Sequence, residues 1–434
     1  MIRTAALVVA CTLALFSPVL AADSYPRVGA ALYSNPQNYW DASYQEDIAK
    51  LQVVILAAYP GWGSGHGTTL EKTIQALKAR NPNLRVFLYV LAESQVLPVS
   101  SVWPGLGAKL DAQRWWLYQT WGSNTKVLAD DGNGYILNVT PYSTKDSSGL
   151  RYNQWYPQYL VTQLAKPTPS ADGFFTDNVF FKPRRDGDWN QDGKTDSASD
   201  PIVATWFRQG YAQYLDTLHA AMPGKLQLAS LADWGVPDAV LPEYQGKWNG
   251  GLIEGMIGKP YSSERLAGGW QLMMARYRKS MSALAAPKLG LFHMLGDPTD
   301  YQAMRYGLAS ASMDDGYFAF NDKSKSYSGA VHFDEYDAQL GAATSGPQLA
   351  AWQSGVFRRD FQNGIVLVNP KGNGVRTVTL ETDFKKLKGT QAPSVNDGKT
   401  VRTVQLNDRD GIILMRVKPA KRPAAPQPAI DTGS

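Results

Sequence analysis

The chain is 434 residues long, 44% hydrophobic and 19% charged, with a formal net charge of +5. That length allows one large core and a smaller second one, and the modest charge without a Lys/Arg-rich block argues against nucleic acid as a partner. The sole cysteine, Cys11, falls in the leader described next, so the remainder has no thiol for a disulfide, a thiolate metal site or a nucleophile.

Residues 1–22 read as a signal peptide. Arg3 supplies the positive start, 5–16 is an apolar run, and small residues around Ala21 and Ala22 offer a cleavage site. A retained anchor is the competing reading, but the run is short for a membrane span and Pro18 interrupts it. The mature chain is expected to begin near Asp23 and to be periplasmic or secreted, with no membrane span.

Short, nearly continuous apolar runs then recur at 27–33, 53–59, 84–91, 173–177, 226–231, 251–256, 289–295 and 317–321. Continuous rather than alternating apolarity suits parallel strands covered on both faces. Helical stretches lie between them, for example 69–80, 204–221, 264–285 and 299–313. Eight strand and helix repeats predict an α/β fold, a (β/α)8 TIM barrel over 23–345. The DDGNG turn at 130–134, flanked by 127–129 and 135–139, reads as a hairpin inserted at about 123–142 rather than a barrel strand. If it were a barrel strand, 173–177 would become the fifth. Beyond 350, short β-like runs separated by turns predict an antiparallel β-sandwich over 350–418, followed by a Pro/Ala-rich disordered tail at 419–434.

Catalytic groups of such a barrel sit where strands end. Two strands end on an acid: DGFFTDN at 172–178 finishes at Asp177, and GGLIEGM at 250–256 carries Glu254. Carboxylates beside a barrel interior cost desolvation, and glycoside cleavage needs such a pair. The plainer reading has Asp177 capping a loop and Glu254 pairing with a base. Glu93, Asp233, Asp297, Asp314 and Asp315 also lie near strand ends, where acids commonly cap helices.

Those strings, with RYGLA at 305–309, DGYFAF at 315–320, FDEYD at 333–337 and FRRDFQNGIVLVNP at 357–370, resemble hypothetical glycosyl hydrolase family 15 from the first strand to about residue 417. That family is similar to α-galactosidase-like and endo-α-1,4-polygalactosaminidase barrels. The resemblance implies a nucleophile at the end of strand four and an acid/base at the end of strand six, here Asp177 and Glu254. It implies retaining hydrolysis, with Glu where several relatives carry Asp.

The loop YPGWGSGHG at 59–67 is expected to lay its backbone along the barrel mouth and present Tyr59, Trp62 and His66 to a sugar; a plain flexible loop is the alternative. Thr68 to Glu71 resembles a capping box. Glu93, Asn178, Trp234 and Asp297 complete the expected substrate-binding set. The 13 Trp and 22 Tyr leave flat faces for sugar rings. DWNQDGKTD at 188–196 fits the start of a calcium loop, with Asp188, Asn190, Asp192, Lys194, Asp196 and Asp200 as candidate ligands and Ser199 where a Glu is usual. No cofactor is expected for catalysis. The four histidines show no zinc pattern and no Gly-x-Ser-x-Gly elbow is present. The expected function is an exported glycoside hydrolase, retaining by resemblance and monomeric; the alternative is an inactive glycan-binding protein on the same barrel, with one carboxylate blocked, paired or turned away.

Overall fold

The computed structural model describes residues 24–130, 132–236 and 241–417; the expected leader and tail lie outside them. Eight parallel strands close into a barrel: β1 (Val28–Leu32), β2 (Val53–Ala57), β3 (Arg85–Leu91), β4 (Gly173–Asp177), β5 (Leu226–Ser230), β6 (Gly250–Ile257), β7 (Leu289–Gly296) and β8 (Tyr317–Asp322). Each pairs with its neighbour in chain order, and β8 closes on β1 through Val28 opposite Phe318. Alternate residues separate into two cores. Ala31, Val53, Ile55, Phe87, Phe175, Leu228, Leu252 and Leu291 fill the barrel, while Leu32, Val54, Leu56, Val86, Leu88 and Phe174 pack outward under the helices. With both faces buried, the strands read as unbroken apolar runs.

The helices are α1 (Ala42–Ala49), α2 (Leu70–Arg80), α3 (Leu106–Ala112), α4 (Tyr152–Leu160), α5 (Pro201–Ala221), α6 (Gly269–Ser282) and α7 (Tyr301–Ser312). Capping side chains start several of them: Asp41 accepts from the Ser43 amide, Asp200 from Ile202 and Asp300 from Ala303. At α2 the cap is Thr69, bonded to the Lys72 amide, and Glu71 turns instead to Ser170. Sequence pattern missed α1, α3 and α4: the first two are one or two turns long, and Pro157 interrupts the helical pattern of α4.

Between β3 and β4, three short extended segments pair edge to edge. Trp116 faces Leu137, Tyr118 faces Lys126 and Leu128 faces Tyr135, while Ser94–Gln95 adds to Tyr135–Ile136. Gly173–Asp177 is therefore the fourth barrel strand.

At the C-terminus, β9 (Phe357–Asp360), β10 (Gly364–Asn369), β11 (Arg376–Lys386), β12 (Thr400–Leu406) and β13 (Asp410–Arg416) form an antiparallel β-sandwich in the order β9-β10-β13-β11-β12. An irregularity between Thr379 and Phe384 lets β11 pair with both β12 and β13. A separate apolar core that includes Ile365, Leu367, Phe384 and Leu414 fills it. No helix among the described residues is long and apolar enough to cross a membrane.

Candidate functional site

Parallel strands point all their C-terminal ends to one rim, so a strand-end acid from any of them arrives at the same mouth. The inward-facing alternation, continued one step past the apolar filling, leaves Tyr33, Tyr89, Asp177, Glu254 and His293 in the uppermost layer, since Ala31, Phe87, Phe175, Leu252 and Leu291 face inward two residues earlier. Glu254 lies in a bulge of β6: Ile253 and Ile257 pair with Phe292 and Met294, which are only two apart. Gly255 there has φ +78°, and a Cβ would come within 2.7 Å of the Tyr261 ring.

Three stacked tyrosines connect the acids. The Tyr33 ring lies 4.3 Å from that of Tyr89 and 4.7 Å from that of Tyr327. The Tyr89 hydroxyl donates to Asp177 Oδ2 at 2.8 Å, and the Asn178 amide, on a residue with φ 59°, donates to Oδ1 at 2.8 Å. The Tyr327 hydroxyl donates to Glu254 Oε1, and the Lys259 ammonium stands 3.1 Å from the same oxygen.

The two carboxyls are pushed in opposite directions. Enclosure raises Asp177, and the charge of Glu254 adds to this, beyond what Tyr89 and the Asn178 amide give back. Burial also presses Glu254 upward, but His293, the Tyr327 hydroxyl and Lys259 outweigh it and leave the group below the usual range. His293, fully buried, is itself pushed down to about 4 by desolvation, so near neutrality it is uncharged and Lys259 carries the positive charge.

The other expected residues divide sharply. Glu93 is 1% exposed, bonded to Arg184 at 3.0 Å, and raised by burial to about 7. Arg184 also reaches Asp130 at 3.0 Å. Asp233, accepting from the Phe181 amide, is raised by burial to about 7 as well. Both hold protons more tightly folded than unfolded, so their contribution to stability is full below their unfolded values and is lost as pH rises through about 7. For Glu93 the loss is on the order of 3 kcal/mol. Glu93→Gln is expected to flatten the fall in thermal stability between about pH 5 and pH 8; a melting-temperature profile identical to that of the parent would contradict it.

Tyr59 lines a cleft of about 460 Å³ with Tyr89, Gln95, Trp103 and Tyr156. His66 is exposed and its ring lies tilted against Trp40, with ring centroids 3.5 Å apart. Trp62 is not presented to solvent: it is 3% exposed, packed against Tyr39 and Trp40. Trp234 is likewise internal, its indole donating to the Val179 carbonyl at 2.7 Å and its ring stacked on Tyr244. Asp297 is spent on Thr299 and on Lys323 at 3.1 Å; the Thr299 hydroxyl and amide, with Lys323, hold it down at about 2. Asp314 and Asp315 precede β8, at the opposite rim, where Asp315 pairs with buried Arg359.

The carboxylates of the loop at 188–196 are hydrogen-bonded to backbone amides. Asp188 accepts backbone N–H bonds from Trp121, Asp192 and Gly193, Asp196 accepts from Trp189 and Asn190, and Asp200 caps α5. Asn190 donates to Asp192 at 3.3 Å, and the Lys194 amide donates to Asp192 at 2.9 Å. Among the described residues no three His, Cys, Asp or Glu side chains converge as a metal site.

Sequence reasoning missed Tyr33, Tyr89, Lys259, Tyr327 and Trp103. Alternation would have found Tyr33 and Tyr89, each two residues beyond an inward apolar side chain.

Comparison with solved structures gives low-identity matches. The glycoside hydrolase domain of PelA from Pseudomonas aeruginosa matches at 14% identity and TM-score 0.40, over 68% of this chain and 94% of that one. A pullulanase from Bacillus acidopullulyticus matches at 12% and 0.49, over 92% and 61%. The cycloalternan-forming enzyme from Listeria monocytogenes matches at 9% and 0.44, over 90% and 41%. This chain thus spans less than two thirds of the last two. A search of curated proteins returned no match. Residues 78–365 match hypothetical glycosyl hydrolase family 15. On that match, which covers most of the barrel and the start of the sandwich, the chain belongs to hypothetical glycosyl hydrolase family 15, within the glycoside hydrolases.

Proposed function

We propose that this protein cleaves O-glycosidic bonds of a poly- or oligosaccharide with Asp177 and Glu254 as the working pair. The observation that carries the reading is that two inward-facing carboxyls, Asp177 from β4 and Glu254 from β6, reach one rim and are joined through the stacked rings of Tyr89, Tyr33 and Tyr327, with Asp177 raised and Glu254 lowered from their ordinary values. A glycosidase needs one charged and one protonated carboxyl at the bond it breaks. The aromatic cleft beside Tyr89 offers flat faces for neighbouring sugar units.

In the division implied by strand position, Asp177 attacks the anomeric carbon while Glu254 gives a proton to the departing oxygen. Glu254 then takes a proton from water as that water releases the sugar from Asp177, with net retention. The charges around the pair favour the reverse division, because Lys259 and Tyr327 hold Glu254 ionised. Chemical rescue separates the two. Azide added to Asp177→Ala is expected to restore turnover and yield a glycosyl azide of inverted anomer; the same product from Glu254→Ala instead would exchange the roles.

A second reading, a glycan-binding protein without turnover, is favoured by the same ion pair, since Lys259 occupies one oxygen of Glu254. Incubation with bacterial and plant polysaccharides, followed by reducing ends, distinguishes them. Release by the parent protein that is lost in Glu254→Gln supports the enzyme; binding without release from any glycan supports the second reading. Export is part of the proposal and rests on residues 1–22. A mature N-terminus near Asp23 in protein recovered outside the cytoplasm is the expected result.

A further inference from the structure

We infer that Lys259 is a positioning residue that sets the protonation state of Glu254, holding it ionised until a ligand enters the cleft. The inference rests on the assignment of Glu254 to the working pair. Lys259 follows β6 directly after Gly258, whose φ of +93° and lack of room for a Cβ, which would meet the Leu295 carbonyl at 1.7 Å, anchor the turn. From there its ammonium reaches Glu254 Oε1 at 3.1 Å and lies 5.2 Å from the centre of the Tyr327 ring. The Tyr327 hydroxyl bonds that same oxygen, so cation, ring and hydroxyl form one cluster around a single carboxylate oxygen.

The other groups facing Glu254 do not replace that charge. Asp177 from β4 repels it, Tyr33, Tyr89 and Tyr261 are neutral phenols, and His293 from β7 is uncharged near neutrality. The Lys259 side chain retains 20% of its exposure, so a sugar hydroxyl can compete for it from its exposed side. Once Lys259 is drawn away, the Tyr327 hydroxyl and, where protonated, His293 are left to oppose burial, and the balance moves toward the protonated form of Glu254. In this way the charge that Lys259 favours on Glu254 and the proton required by an acid/base Glu254 are both accommodated.

The test is carbon-13 NMR of the full chain labelled at glutamate carboxyls, titrated from pH 3 to pH 9, with the Glu254 resonance identified by its disappearance in Glu254→Gln. In Lys259→Met the midpoint of Glu254 is expected to rise by about one to two pH units. Lys259→Arg, which keeps the charge, should return it toward the parent value. Lys323→Met, which removes a cation paired with Asp297, should leave it in place. A Glu254 midpoint unchanged in folded Lys259→Met overturns the inference, and so does an equal rise in Lys323→Met. The pH dependence of kcat/KM supplies a second readout. The alkaline limb moves up in Lys259→Met if Glu254 acts as acid, the acidic limb if it acts as nucleophile, and no movement of either counts against the inference. Absence of hydrolysis by the parent on every glycan would defeat the functional reading while leaving the titration fully readable.

Discussion

Asp177→Asn is expected to lower turnover by at least about 10⁴-fold while the folded protein keeps its melting temperature within a few degrees. Asn has the shape of Asp and still offers an oxygen to the Tyr89 hydroxyl, which now donates to Oδ2 at 2.8 Å. What disappears is the negative charge that an attacking or proton-carrying carboxyl must supply, whichever half of the reaction Asp177 performs. Removing a half-buried acid that burial already raises takes away a desolvation cost, so stability is expected to hold or increase slightly. The measurement is reducing-end release by parent and variant on the polysaccharide the panel identifies, beside thermal unfolding of both. A folded variant with parental activity removes Asp177 from the chemistry.

Arg305→Ala is expected to destabilise the protein by about 3–5 kcal/mol, the largest stability effect anticipated for a single charge. Arg305 on α7 is 5% exposed and meets Asp410 of the sandwich through Nη2 at 2.9 Å and Nε at 3.2 Å, with Nε also donating to the Gly411 carbonyl at 3.1 Å. Gly411 has no room for a side chain, because a Cβ would lie 2.6 Å from the Arg305 carbonyl, so helix and strand are in direct contact here. Truncation leaves Asp410 buried without its counterion, at the seam between barrel and sandwich. A double replacement, Arg305→Met with Asp410→Leu, should recover most of the loss, since it removes both charges from the buried site. Denaturant unfolding reads the difference; a loss under about 1 kcal/mol for the single variant would mean the seam does not depend on this pair.

The barrel was legible because its determinants are local and repeated. Every predicted strand run coincides with a barrel strand to within a residue or two at each end, and four helices were recognisable from their spacing. Within the candidate site, Asp177 and Glu254 could be singled out because the first terminates an apolar strand and the second interrupts one near its end, which needs no knowledge of neighbours. Trp62 and Trp234 could not be placed in the same way. Nothing beside Trp62 in the chain reveals that Tyr39 and Trp40 will cover it, or beside Trp234 that Val179 will take its indole proton. Alternate oxygens in a sequence are as well suited to capping backbone amides as to surrounding an ion, and in the fold Asp188 accepts from the Gly193 amide and Asp196 from the Trp189 amide.

By itself the sequence determined the strand periodicity, the parallel arrangement implied by unbroken apolar runs, and the two acids at strand ends. Only the tertiary structure decided which charges share a space. Lys259 stands five residues from Glu254 but reaches it only because β6 bulges and turns at Gly258, and Tyr327 arrives at the same oxygen from beyond β8. Electrostatic energy depends on distance and on exclusion of water, and neither is a property of position along the chain.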